Sequence, residues 1–244
     1  MAERILVLDD LPAGAAGLIG GDLRAAIGQR GGASIVLAGG GTPLAAYAVL
    51  AAAPGIDWAR VHVFWGDERL VPPDDPGSNY RAARETLLSN VSIPAANVHR
   101  LPGELSAAAA VAGYTEELRA WAATHDPGAP NSWPRFDVVL LGLGEDGHTA
   151  SLFPGSSMES DQPVLAVSAD YHGRPAGRVS LTPVVFNDAR HVIFLVAGAG
   201  KAEAVYHTLR GDDYPRRYPA QRIRPTVGRV TWLLDRAAAA RLSP

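Results

Sequence analysis

The stretch FDVVLLGLGEDGHTASLFPGSS, Phe136 to Ser157, decides how this chain folds. Its first part, Phe136 to Leu143, is an apolar run with the look of a parallel strand buried on both faces. The run stops at a glycine-rich turn that sets Glu145, Asp146 and His148 within four positions of one another. Open α/β sheets bind their ligands outside the carboxyl ends of their strands. A buried strand that ends by delivering carboxylates and an imidazole therefore reads as one wall of an active site. Gly142, Gly144 and Gly147 also spell G-x-G-x-x-G. The dinucleotide fingerprint needs a helix opening after its last glycine, and an acidic strand end about 20 residues on. Pro154 and Gly155 arrive too soon for that helix, and Asp161 lies in a polar stretch. No nicotinamide or flavin cofactor is expected.

Working outward, strand-like and helix-like segments alternate. Strands are expected at Arg4 to Leu8, Ser34 to Ala38, Val61 to Trp65, Phe136 to Leu143, His191 to Val196 and Arg229 to Leu234. Helices are expected at Ala15 to Arg30, Pro43 to Ala53, Asn79 to Leu88, Ala107 to Ala123, Lys201 to Leu209 and Asp235 to Leu242. The alternation implies an α/β fold with an open, mainly parallel, Rossmann-like sheet covered by helices on both faces. Asp126 to Pro134 and Gly211 to Pro219 are Pro/Gly loops, too short for interdomain linkers, so residues 1–244 are expected to form one domain.

Composition narrows the function. A formal charge of -3 argues against a nucleic-acid surface. Arg216, Arg217, Arg222, Arg224 and Arg229 are interrupted by proline and apolar residues and read as a solvated face. The absence of cysteine removes thiolate chemistry and fits a reducing, cytoplasmic setting. No run approaches the length of a membrane span, and the N-terminus is not a signal peptide. His62, His99, His125, His172, His191 and His207 form no H-x-H or H-x-x-x-H pair, so no metal site is expected.

Three strand ends carry unusual residues. Gly39-Gly40-Gly41-Thr42-Pro43 follows one strand and opens a helix. Consecutive glycines can turn backbone N–H groups toward an anion, and the helix dipole adds to their pull. The bland reading is a tight turn; three glycines exceed what a turn needs, which favours a phosphate cradle. Thr42 can cap the helix and also donate its hydroxyl. Trp65-Gly66-Asp67-Glu68-Arg69 follows a second strand, and Ser78-Asn79-Tyr80 is placed to cap the next helix. Asp146-Gly147-His148 follows the third, a histidine beside a carboxylate with a pKa range suited to proton transfer. There is no G-x-S-x-G elbow, so Ser151 reads as a local hydrogen-bonding residue.

GGGTP at Gly39 to Pro43, WGDERLVPPDDPGSNY at Trp65 to Tyr80 and GLGEDGHTASLFPGS at Gly142 to Ser156 together resemble the 6-phosphogluconolactonase family. RVSLTP at Arg178 to Pro183 and RVTWLLDRAAA at Arg229 to Ala239 are similar to it too. The resemblance implies the sheet shared with glucosamine-6-phosphate deaminase, ribose-5-phosphate isomerase and coenzyme A transferases. It implies hydrolysis of 6-phospho-D-glucono-1,5-lactone in the oxidative pentose phosphate pathway, without cofactor, by a monomer or small homo-oligomer. His148 would be the base and Asp146 its orienting partner. Asp67 and Arg69 would complete the catalytic set, with Arg69 on either phosphate or oxyanion. Gly39, Gly40, Gly41, Thr42 and Asn79 would hold substrate, with Arg174, Arg178 or Lys201 as the cationic partner. Deaminases share the GGTP-type loop and the DGH turn; here DGH continues as TASLFP and Asp67 as Glu68-Arg69, both lactonase-like. One position departs from the pattern. The family usually shows lysine in a Ser-Pro-Lys-Pro-Pro-type segment, where this chain reads Tyr171-His172-Gly173-Arg174-Pro175. Positive charge is kept, but a planar fork replaces a point charge.

Overall fold

The computed structural model describes residues 3–128, 131–156, 161–170 and 173–242. Ser157, Tyr171, His172 and, in the Asp126 to Pro134 loop, Ala129 and Pro130 lie outside them. Seven parallel strands form the main sheet: β1 (Arg4–Val7), β2 (Ala33–Leu37), β3 (Val61–Trp65), β5 (Val98–His99), β6 (Val138–Leu141), β9 (His191–Val196) and β10 (Arg229–Leu234). Their spatial order is β1-β10-β9-β6-β2-β3-β5. From β2 the chain steps outward through β3 to β5; from β6 it steps the opposite way through β9 to β10. The direction reverses between β2 and β6, which makes the crevice beyond their carboxyl ends the expected ligand site of such a sheet.

Alternating side chains build two cores, as strand geometry requires. Ile35 and Leu37 of β2, Val138 and Leu140 of β6 and Ile193 and Leu195 of β9 face one way. There they meet α1 (Leu11–Arg30), α2 (Gly41–Ala51) and α3 (Asn79–Thr86) through residues such as Leu23, Tyr47 and Ala83. Val36, Val139, Leu141 and Phe194 face the other way. They pack on α4 (Ala107–His125), α5 (Pro183–Phe186) and α6 (Ala202–Arg210) through Tyr114, Val185 and Val205.

Sequence periodicity does not announce a second sheet, in which β4 (Asp67–Arg69), β8 (Gly177–Leu181) and β7 (Val164–Ser168) pair antiparallel. Gly66 is the joint: its N–H bonds Leu37 O at 2.9 Å in the main sheet, while its carbonyl accepts Leu181 N at 2.8 Å in the small one. The expected terminal helix is absent. Asp235 to Leu242 forms successive turns, and Asp235 accepts from Gly198 N at 2.9 Å as well as, in N-cap fashion, from Ala238 N at 2.7 Å, which ties the segment to the loop after β9. So short a segment gains little from helix propagation. Among the described residues no helix is long and apolar enough to cross a membrane.

Candidate active site

The three strand ends meet. A cleft of about 320 Å³ is lined by Gly39, Gly40, Gly41 and Thr42 after β2, by Asp67 and Arg69 of β4 with Asn79 of α3, and by Glu145 and His148 after β6. Arg174, Arg178 and Lys201 close its remaining side. Every residue given a catalytic or binding role in the sequence analysis lines this cleft except Asp146, which stands behind His148. Glu145 and Ala150 also line it.

His148 Nδ1 lies 2.6 Å from Asp146 Oδ1, and the same oxygen accepts the His148 backbone N–H at 3.1 Å. A carboxylate accepts only, so the ring proton sits on Nδ1 and Nε2 is the basic nitrogen. Burial pushes the Asp146 carboxyl up, but the hydrogen bonds and charge of His148 outweigh it and leave it below the usual carboxylate range. The pair fits only because residue 144 has no side chain: a Cβ there would stand 2.5 Å from Asp146 Oδ1 and closer still to the imidazole. Gly147, at φ +85°, provides the left-handed step. The ring tilts against Phe153 at 4.5 Å between centroids. Ala150 has φ +48°, an unfavourable conformation for a residue with a side chain, held in the cleft wall.

Gly39 carries the same logic, since a Cβ would stand 2.5 Å from Asn79 Cγ. Asn79 donates through Nδ2 to Asp67 O at 2.9 Å and to Asp67 Oδ1 at 3.3 Å. The expectation for Thr42 is corrected. Gly40 is the N-cap of α2, at φ +103° and ψ 159°, with no side-chain cap bond, and Thr42 lies inside the helix. This leaves the backbone N–H groups of Gly41 and Thr42, two residues that line the cleft, without a side-chain cap, Pro43 having no N–H to offer. Ser78 does cap α3, accepting from Arg81 N at 3.1 Å.

Ser151 is not a local residue: its hydroxyl donates to Asp67 Oδ2 at 2.6 Å across 84 positions of sequence. Glu68 faces away from the cleft. Its carboxylate accepts from the N–H of Arg69, Asn79 and Tyr80, each at 2.7 Å, and from Ser78 Oγ at 2.9 Å. Burial pushes its pKa up, and those bonds only partly offset it. Glu68 thus pins the start of α3, and with it Asn79. Two tyrosines were not anticipated. The Tyr47 hydroxyl bonds both Ala38 N and O at 2.9 Å, and the Tyr114 hydroxyl bonds both Trp65 N and O at 3.0 Å. Each satisfies a peptide group just where its strand gives way to a loop that lines the cleft.

The cations crowd. Arg69 and Arg178 stand directly opposite each other in the β4–β8 ladder, a pairing that like charges disfavour without an anion between them. Arg69 donates to Gly77 O at 2.6 Å, while its Nε is buried without a partner. Arg178 is buried, with its guanidinium 5.4 Å from the Phe153 ring centre. Burial, and then the charge of Arg174, lower the Lys201 pKa; Glu145 and Asp146 act the other way. Arg174 is exposed on its loop. Among the described residues no three His, Asp or Glu side chains are grouped to hold a metal ion.

Residues 8–232 match the family model for glucosamine-6-phosphate isomerases/6-phosphogluconolactonase. The chain belongs to that family. A 6-phosphogluconolactonase of Mycobacterium tuberculosis is 45% identical over 246 residues, covering 96% of this chain and 95% of the relative. The solved 6-phosphogluconolactonase of Trypanosoma brucei superposes with a TM-score of 0.85 at 33% identity, over 99% of either chain. A monomeric glucosamine-6-phosphate deaminase superposes at 0.81 with 21% identity, over 99% of this chain and 100% of its own, a likeness of fold alone. The family resemblance and the fold read from the sequence are both borne out.

Proposed function

We propose that this chain hydrolyses 6-phospho-D-glucono-1,5-lactone to 6-phosphogluconate, with His148 as the base. The observation that carries the reading is the His148–Asp146 pair at 2.6 Å, facing a cleft whose opposite wall is an uncapped helix start flanked by four cations. The family relatives named above add independent support.

A δ-lactone is an activated ester, so a positioned base and a stabilised oxyanion suffice. Water attacks C1 while His148 Nε2 takes its proton, and Asp146 stabilises the imidazolium. The tetrahedral oxyanion is met by the neighbouring cations. When the C1–O5 bond breaks, His148 returns the proton to the ring oxygen. The open N–H groups at the start of α2, together with Arg174, Arg178 and Lys201, hold the phosphate. Asp67 is already engaged by Ser151 and Asn79. It therefore orders the cleft, while the imidazole carries the proton.

The test is His148→Ala, assayed with spontaneous hydrolysis subtracted. A general base contributes about 10²–10⁴-fold, so kcat should fall by that much with the thermal midpoint unchanged. Activity within about threefold of wild type would remove His148 from the role. Amino-sugar phosphate, offered in parallel, should not be turned over.

A further inference from the structure

The opposite pole of the sheet holds a second cavity, of about 400 Å³, where β2, β3, β6 and β9 begin. Four arginines line it, Arg30, Arg60, Arg135 and Arg190, against two aspartates, Asp126 and Asp137, an excess of two positive charges. The aspartates are largely occupied. Asp137 accepts from Ser34 N at 2.8 Å and pairs with Arg30 at 2.5 Å, while Asp126 accepts the backbone N–H of Arg135 at 3.1 Å. Asp57, outside the lining, pairs with Arg60 at 3.2 Å.

The guanidinium groups are not occupied in the same measure. Arg190 Nε is buried without an acceptor in hydrogen-bonding geometry, its nearest carboxylate oxygen being Asp137 Oδ1 at 3.2 Å. Arg135 donates from Nε to Asp188 O at 3.2 Å and, among the described residues, has no carboxylate partner for its side chain. Planar forks with free N–H groups match the paired oxygens of a phosphate. A phosphate monoester carries about -1.5 to -2 at neutral pH, close to the excess charge of the lining. Beside the arginines, Trp121 and His125 stack with centroids 4.6 Å apart and planes 8° apart, an aromatic face for the organic part of an ester.

We propose that this cavity is a binding site for a phosphate monoester, separate from the catalytic cleft. Its occupant is held through the forks of Arg135 and Arg190 and lies against the Trp121–His125 stack. Burial, followed by the charge of Arg30, keeps the Arg190 pKa below its usual range, and Asp137 offsets this only in part. An added anion relieves that crowding.

The experiment is calorimetric titration of the full chain with adenosine monophosphate, inorganic phosphate and adenosine. 6-Phosphogluconate, itself a phosphate monoester, is titrated separately on the wild type and on the Arg135→Gln and Arg190→Gln variants: binding that survives in the variants belongs to the proposed activity site, and binding lost in them belongs to the cavity. Saturable binding of the nucleotide or of phosphate at or below about 1 mM is expected. Tighter binding of the nucleotide identifies an organic ester as the occupant; equal affinities identify free phosphate. Arg135→Gln and Arg190→Gln should each weaken binding by about tenfold or more and leave lactone hydrolysis unchanged. Arg60→Gln changes a side chain that is 57% exposed, so it should fold normally and weaken binding by about threefold. No saturable binding of either anion, adenosine binding as tightly as its phosphate, or undiminished affinity in all three variants would overturn the proposal.

Discussion

Gly144→Ala isolates the proposed catalytic pair, His148 and Asp146, from the fold that carries it. Gly144 is not among the glycines at positive φ, so the left-handed strain that alanine would meet at Gly147 does not arise there. The added methyl would lie 2.5 Å from Asp146 Oδ1 and closer to the imidazole, where ordinary contact begins at 3.4 Å. The carboxylate must therefore retreat by about 0.9 Å and the ring by more, and the 2.6 Å bond that fixes the tautomer cannot survive in place. A misplacement of about 1 Å at a reacting group can cost about 10²-fold, equivalent to roughly 2.7 kcal/mol of barrier. The expected result is a kcat lowered by about two orders of magnitude, with KM within about threefold and the thermal midpoint within a few degrees. Gly147→Ala is the contrast. There φ is +85° and the methyl would meet Tyr218 Cδ1 at 2.6 Å, so the variant should lose stability as well as rate. Steady-state kinetics and a melting curve on both variants decide it. A Gly144→Ala enzyme of wild-type kcat would refute the claim that the His148–Asp146 geometry sets the rate.

Three further outcomes are expected. Gly39→Ala should lower kcat/KM by about 10-fold or more by pushing Asn79 off Asp67, whereas Gly40→Ala, whose Cβ meets nothing, should cost about 1–3 kcal/mol of stability through its φ of +103°; kinetics and denaturant melts separate the two. Tyr47→Phe leaves the Ala38 peptide without the hydroxyl that bonds it at 2.9 Å and should cost about 1–3 kcal/mol, with KM rising because the glycine loop loses its anchor; an unchanged melting curve would contradict this. Burial, then the charges of His99 and His125, push the His62 pKa from 6.5 to about 4, so the unfolded chain binds a proton in that window that the fold does not. Unfolding free energy should accordingly fall as pH drops from about 6.5 to about 4, and His62→Gln should flatten that slope in denaturant titrations at pH steps; parallel slopes would exclude His62.

What the sequence discloses and what it withholds divide along a physical line. The apolar runs of β3, β9 and β10 match their strands, because a strand buried on both faces leaves a continuous signature. The run Phe136 to Leu143 overshoots β6 (Val138–Leu141) by two residues at each end, because Phe136 and Leu143 stay buried beyond the paired residues. The small sheet leaves no such signature: β4 has three residues and pairs with β8 more than a hundred positions away. The same line runs through the cleft. Asp146, Gly147 and His148 are legible together because the pair closes within one turn. The bond from Ser151 to Asp67 is not, because nothing in the TASLFP segment says which distant carboxylate its hydroxyl will find. Thr42 misleads for a related reason. A threonine at a helix start ordinarily caps it, but Gly40 takes the cap here and the helix start stays open. A side-chain cap would occupy the very N–H groups that an anion needs. The failure of the usual capping rule at this position is thus itself an argument for a phosphate there.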